Sequence, residues 1–130
     1  MKASCENAMK LAQWLVTDER IERVMYPGLA CHPNHMLAQQ QMRDFGGVIS
    51  ILIKGGAQAA TNMLEKCRIF ALAESLGGIE SLINLPAKMT HASIPNDERM
   101  RIGIEDHLVR LSVGVEDFEV LRNDLDPALA

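Results

Sequence analysis

Two features of this chain have the chemistry to hold a ligand: Ser75, followed by Leu76 and the pair Gly77-Gly78, and Arg110 within Leu-Val-Arg-Leu-Ser-Val-Gly. A guanidinium offers a planar fork of donors that fits a carboxylate bidentately and stays charged at any relevant pH. A hydroxyl beside paired glycines lets the backbone approach a ligand closely. Together they describe a pocket for a small anion. Spacing alone leaves other readings open: Arg110 as half of an ordinary ion pair, Ser75 as a turn residue, Glu74 as a half-exposed solvated charge.

No partner for nucleophilic or metal chemistry accompanies them. Ser75 is outside any Gly-x-Ser-x-Gly elbow, and no histidine or acid has triad-like spacing. Cys31-His32-Pro33-Asn34-His35 groups a thiol and two imidazoles, but zinc needs about four ligands, and no second pair follows at finger-like spacing. Ile53-Lys54-Gly55-Gly56 lacks the order of a phosphate-binding loop. Neither a catalytic residue nor a metal is therefore expected here, and the pocket reads as one wall of a larger site.

The elements that must position this wall follow from periodicity. Ala8, Leu11, Ala12, Leu15 and Val16 form an apolar face over a helix at 6–16, with Asn7, Lys10 and Gln13 on its polar side. A strand is expected over 21–26, closed by Tyr26-Pro27-Gly28. A helix over 34–42 has Asn34 at its N-cap. The β-branched run 48–53, bounded by Gly46-Gly47 and Gly55-Gly56, reads as a central strand. A helix over 57–67 has Ala60, Met63, Leu64 and Cys67 on one face. Strands are expected over 68–73, delivering Ser75, and over 79–85. After a loop at 86–96, a short helix is expected at 97–102. In a strand over 109–115, Leu111, Val113 and Val115 point one way and Arg110, Ser112 and Gly114 the other. A last helix over 117–125 has Phe118, Leu121 and Leu125 on one face, with Glu116, Asp117 and Glu119 suiting its positive end. The fold class is thus α/β (α+β): a two-layer sandwich, mostly antiparallel, with helices on one face and Arg110 on the other.

With 130 residues, 48% apolar and 23% charged, the chain reads as one globular domain. It can bury roughly two-thirds of its unfolded surface. A net charge of −4 argues against nucleic acid and anionic membrane, which need a basic footprint. No apolar run reaches the length of a membrane span, and the first ten residues lack a signal pattern. Cys5, Cys31 and Cys67 are an odd, widely spaced set, expected as free thiols of a reducing cytosol. The eight methionines read as core filler.

Several ordered blocks carry a resemblance over nearly the whole length: Val24-Met25-Tyr26-Pro27-Gly28-Leu29, His32-Pro33, Gly46-Gly47, Ile53-Lys54-Gly55, LAESLGGIESL, Pro86-Ala87, MTHAS and LVRLSVGVED. In these the chain resembles the C-terminal domain of the Cys/Met-metabolism, or trans-sulfuration, family of pyridoxal-phosphate enzymes, nearest to cystathionine γ-lyases and γ-synthases. The resemblance implies the small C-terminal domain of a fold-type I enzyme over 1–130. Arg110 would grip the substrate α-carboxylate. Ser75 would lie beside the cofactor's lysine linkage and the substrate, and Glu74 would line the pocket and influence reaction preference. β-Lyases of the family typically place a tyrosine at the position of Glu74, so the resemblance points to the γ type. Ala30-Cys31 departs from the usual Pro-Ser, in a loop expected to be peripheral.

The Schiff-base lysine, the ring stacked on the cofactor and the acid at its pyridine nitrogen belong to the family's large domain. None matches here, and the lysines at 2, 10, 54, 66 and 88 fit no such motif. The resemblance thus implies pyridoxal 5′-phosphate in the full-length enzyme and none bound to, nor activity in, this chain alone. The implied partners are cystathionine or a homoserine ester, the cofactor-binding large domain and further copies in a cytoplasmic homotetramer, and the implied roles are cysteine biosynthesis and methionine metabolism. The γ-lyase reaction, cystathionine to cysteine, 2-oxobutanoate and ammonia, is the first expectation. The alternatives are a γ-synthase, an O-acyl-homoserine sulfhydrylase, or an interaction domain that kept the fold and lost the chemistry.

Overall fold

The computed structural model describes residues 1–130. Five helices and five strands are interspersed along the chain: α1 (Lys2–Leu15), β1 (Ile21–Met25), α2 (His35–Gln41), β2 (Val48–Ile53), α3 (Gly56–Lys66), β3 (Ala71–Leu72), β4 (Leu82–Asn84), α4 (Asn96–Arg101), β5 (Leu108–Ser112) and α5 (Phe118–Ala128). The strands form one sheet in the order β1-β2-β5-β4-β3. All neighbours are antiparallel except β3 and β4, which accords with the expected mostly antiparallel sandwich. No helix is long and apolar enough to cross a membrane.

The long helices α1, α3 and α5 pack on one face of the sheet. That face carries Ile49, Ile51 and Ile53 of β2, Ile83 of β4, and Val109 and Leu111 of β5, all buried against Leu11, Leu15, Met63, Leu121 and Leu125. Strand β2 matches its expected bounds, because β-branched residues between glycines leave little choice. Gly55, with φ +99, turns the chain into α3 in a conformation that L side chains rarely adopt.

Other bounds shift, each for a local reason. Helix α1 begins at Lys2, and Asn7, placed on the polar side by periodicity, is buried. Its amide donates to the carbonyls of Gly114 (3.2 Å) and Glu116 (2.7 Å), tying α1 to the turn after β5. Val16 falls outside the helix and is exposed. Tyr26 follows β1 rather than ending it. Its buried hydroxyl donates to the carbonyl of Gly46 at 2.8 Å, and burial pushes the phenol up to about 12. Asn34 sits at the N-cap of α2 but its side chain makes no cap bond. Cys67 caps α3 instead of ending it. Strand β5 starts one residue earlier and stops at Ser112, so Val115 is 50% exposed rather than part of the apolar face. Helix α5 runs on to Ala128, because Pro127 enters only its last turn; Asp117 caps it by accepting from the N–H of Glu119. Of the methionines only Met63 is fully buried. Met9 and Met89 pack on the core, while Met1, Met36, Met42 and Met100 are exposed, so the core-filler reading holds for a minority.

The largest departure is the segment expected as a strand over 68–73. Only Ala71 and Leu72 pair, with Leu82 and Ile83. The N–H groups of Arg68 (2.7 Å), Ile69 (2.9 Å) and Phe70 (2.9 Å) instead donate to the carboxylate of Asp124 on α5. A buried carboxylate that satisfies three amides is a stronger competitor than a half-formed ladder. Likewise Ile79, expected to begin the next strand, is exposed.

Further along α5, Arg20 joins Asp18 (2.6 Å) to Asp126 (2.5 Å), and its hydrogen bond holds the Asp18 carboxyl below its ordinary range. The three thiols are unpaired. Cys67 is half-buried beside Asp124, and burial, aided by that charge, pushes its thiol up to about 12.

Two outcomes follow. Asp124→Ala strands three amide donors and should cost about 3 kcal/mol of stability, with Asp124→Asn intermediate; urea unfolding midpoints measure this. With its thiol raised this far by burial, Cys67 is far less ionised near neutral pH than an ordinary cysteine, and the thiolate is the reactive form. An alkylating reagent followed by mass spectrometry should therefore label exposed Cys31 first and Cys67 far more slowly, with Cys67 catching up only as the pH approaches 12.

Candidate functional site

Strand alternation places Arg110 on the sheet face opposite α1, α3 and α5, as its spacing predicts. Its cross-strand neighbours are Ser50 of β2 and Asn84 of β4. That face is not simply polar: Leu52 and Leu108 lie on it and are buried. The chain after β3 folds back over part of it, which puts all three expected site residues together. Arg110 Nη2 donates to the backbone carbonyls of Glu74 (3.1 Å) and Ser75 (3.0 Å).

No aspartate or glutamate side chain pairs with Arg110. This overturns the ordinary ion-pair reading. Its Nε is buried and has no acceptor within the chain, which costs free energy until an acceptor is supplied. A full positive charge that the two backbone carbonyls do not neutralise, together with an orphaned donor, makes a site that favours an anion. Ser75 is exposed and its hydroxyl is not used by the fold; it stands past the short strand β3, not at a strand end. Glu74 is exposed, in keeping with a solvated charge.

The segment carrying these residues has little secondary structure, so side chains hold it. Asn84 Nδ2 donates to the carbonyl of Ala73 at 3.3 Å. The N–H of Gly77 donates to Ser112 Oγ at 2.9 Å. Glu116, expected to serve the dipole of α5, instead accepts from the N–H (2.8 Å) and hydroxyl (2.7 Å) of Ser81. Ser81 Oγ in turn accepts from the N–H of Gly114. A side-chain carbon at Gly114 would overlap the carbonyl of Ile79, so only glycine fits where β5 leaves this segment. Sequence reading found none of these supports, although alternation had put Ser112 on the face of Arg110.

Beside the segment lies an apolar cavity of about 380 Å³, lined by Val48, Leu76, Gly77, Ser112 and Val113 among others; Arg110 is outside it. The Cys31–His35 cluster serves its loop. His35 Nδ1 lies 2.7 Å from the carbonyl of Pro27 and its ring stacks on Phe45, while His32 Nδ1 accepts from the N–H of Asn34. No three His, Cys, Asp or Glu side chains converge to hold a metal.

Comparison with known proteins adds to this geometry. The pattern of the "Cys/Met metabolism PLP-dependent enzyme" family matches residues 1–130. The chain is 55% identical over 129 residues to a cystathionine β-lyase of Coxiella burnetii, covering 99% of this chain and 33% of that protein. It is 50% identical to the cystathionine γ-lyase of Mus musculus, covering 99% and 32%. Among solved structures it superimposes on a cystathionine γ-synthase from Xanthomonas oryzae pv. oryzae in complex with aminoacrylate and cysteine. The TM-score is 0.95 at 43% identity, covering 99% of this chain and 33% of that one. The chain thus spans about a third of the length of the relatives it matches, and both lyase names occur among them at comparable identity. It belongs to the Cys/Met-metabolism family of pyridoxal-phosphate-dependent enzymes.

Proposed function

We propose that this chain is the C-terminal domain of a trans-sulfuration lyase acting on cystathionine, and that Arg110 holds the α-carboxylate of the amino-acid substrate. The observation that carries the reading is the state of Arg110: a cation on the sheet face away from the packed helices, with no acidic partner in the chain and a buried donor left over.

The residues present fit a carboxylate and do not fit the cofactor. Lys2 pairs with Glu6, Lys10 lies over Phe118, Lys66 donates to Ala130 and Lys88 to Thr61. Lys54 is exposed in the turn after β2. None is bonded to the Ser75–Arg110 site. Pyridoxal phosphate, when bound by a large domain outside this chain, supplies an electron sink for the carbanion formed next to the substrate nitrogen.

This chain's contribution is orientation. A carboxylate fixed by a guanidinium would give the substrate a second anchor besides its amino nitrogen; two anchors together fix the direction of the bond to the α-hydrogen, and such orientation supplies a large part of many rate enhancements. The free hydroxyl of Ser75 and the exposed carboxylate of Glu74 stand at the rim, where they can touch a substrate or cofactor held from the other side. Glu74, in place of the β-lyase tyrosine, supports cleavage on the γ side, to cysteine and 2-oxobutanoate rather than homocysteine and pyruvate. The exposed apolar side chains Leu76, Ile79 and Val115 support docking against a cofactor-binding domain, and family membership supports a cytoplasmic homotetramer.

In the full-length enzyme, Arg110→Ala should raise the KM for cystathionine about 100-fold, since a charge-assisted bidentate contact is worth about 2–3 kcal/mol. Arg110→Lys should recover only part, because it lacks the fork. An unchanged KM overturns the clamp. Product analysis by mass spectrometry decides between γ and β cleavage.

A further inference from the structure

Four side chains hold the segment between Ala73 and Ser81, but they act at different places. Asn84 fixes its start and Glu116 its end. Between them the N–H of Val115 donates to the carbonyl of Ile79 at 3.0 Å, and residues 74–77 are held by two side chains of β5. Arg110 takes the carbonyls of Glu74 and Ser75, and Ser112 takes the N–H of Gly77. Ser112 is 2% exposed, on the same face of β5 as Arg110 and two residues along, so both work from one rigid strand. Gly77 has φ +76, which points its N–H inward in a conformation other residues resist.

These two attachments differ in what a ligand does to them. A carboxylate arriving at Arg110 competes for the donors now given to Glu74 and Ser75. The Gly77–Ser112 bond uses no donor of the guanidinium and survives that exchange. We propose that Ser112 is a positioning residue of the carboxylate site. Its hydroxyl keeps the Ser75 segment seated over β5 while Arg110 turns from backbone carbonyls to the substrate carboxylate. The inference rests on the clamp reading of Arg110 and adds the group that keeps the clamp's other jaw in place.

Removing one neutral hydrogen bond is worth about 1 kcal/mol, roughly a five-fold change in an equilibrium. In the full-length enzyme, Ser112→Ala should raise the KM for cystathionine about three- to ten-fold with kcat within about two-fold, the split expected when binding and not chemistry is weakened. Hydrogen–deuterium exchange of the peptide spanning 74–80 should quicken in the same variant. Ser112→Thr restores the hydroxyl, and the adjoining cavity of about 380 Å³ has room for its methyl group. It should return both KM and exchange towards wild type.

A Ser112→Ala enzyme with faster exchange and unchanged KM overturns the proposal, as does unchanged exchange. So does a Thr variant of wild-type melting temperature that fails to rescue KM. If both variants melt early, exchange and KM are compared at a temperature where circular dichroism shows them folded, and the same outcomes decide. Arg110→Ala separates the two readings. If it leaves KM unchanged, the clamp itself fails. If it raises KM while Ser112→Ala does not, only the role of Ser112 fails.

Discussion

Between Lys66 and Leu82 only Ala71 and Leu72 lie in a strand, yet the backbone of this stretch carries as many donors and acceptors as any other. Buried peptide groups must find partners, and here the partners come from far along the chain. Asp124 serves residues 68–70, Arg110 serves 74 and 75, Ser112 serves 77, and Glu116 serves 81. The C-terminal part of the molecule thus acts as a template on which the candidate site is laid down. Without it the segment would be an open loop, and Ser75 and Arg110 would have no fixed relation.

The same template explains why the fold was readable in some places and opaque in others. Strand β2 is encoded locally, by branched residues between glycines, and its bounds were legible. The face of Arg110 was legible too, because a period of two needs no knowledge of partners. The excess length given to the strand after α3 was not avoidable from local pattern, since the competitor is a single aspartate on α5. Asn7 looked like a surface residue on a helical wheel for a similar reason. Its partners, the carbonyls of Gly114 and Glu116, lie at the other end of the chain.

For the candidate site, residue type and family likeness named Arg110, Ser75 and Glu74, and the structure brought them together. What sequence could not supply was the state of each group: a guanidinium held by carbonyls instead of an acid, a serine whose hydroxyl the fold does not use, a glutamate open to water. Those states, not the identities, make an anion the natural occupant. They also mark the division of labour across the family's length. A chain spanning a third of its relatives would, on the proposed reading, carry the grip on one end of an amino acid and leave the electron chemistry to another part.

Strand β5 performs two duties on opposite faces, with Val109 and Leu111 in the apolar layer and Arg110 and Ser112 beneath the site. A slip of one residue in its pairing would exchange those faces. It would drive a guanidinium into the layer between sheet and helices, where an unpaired charge costs several kcal/mol. Core packing therefore proofreads the site. A molecule with its binding groups out of place is also one that fails to fold, so errors in this strand are removed as unfolded chains and do not persist as slow enzymes.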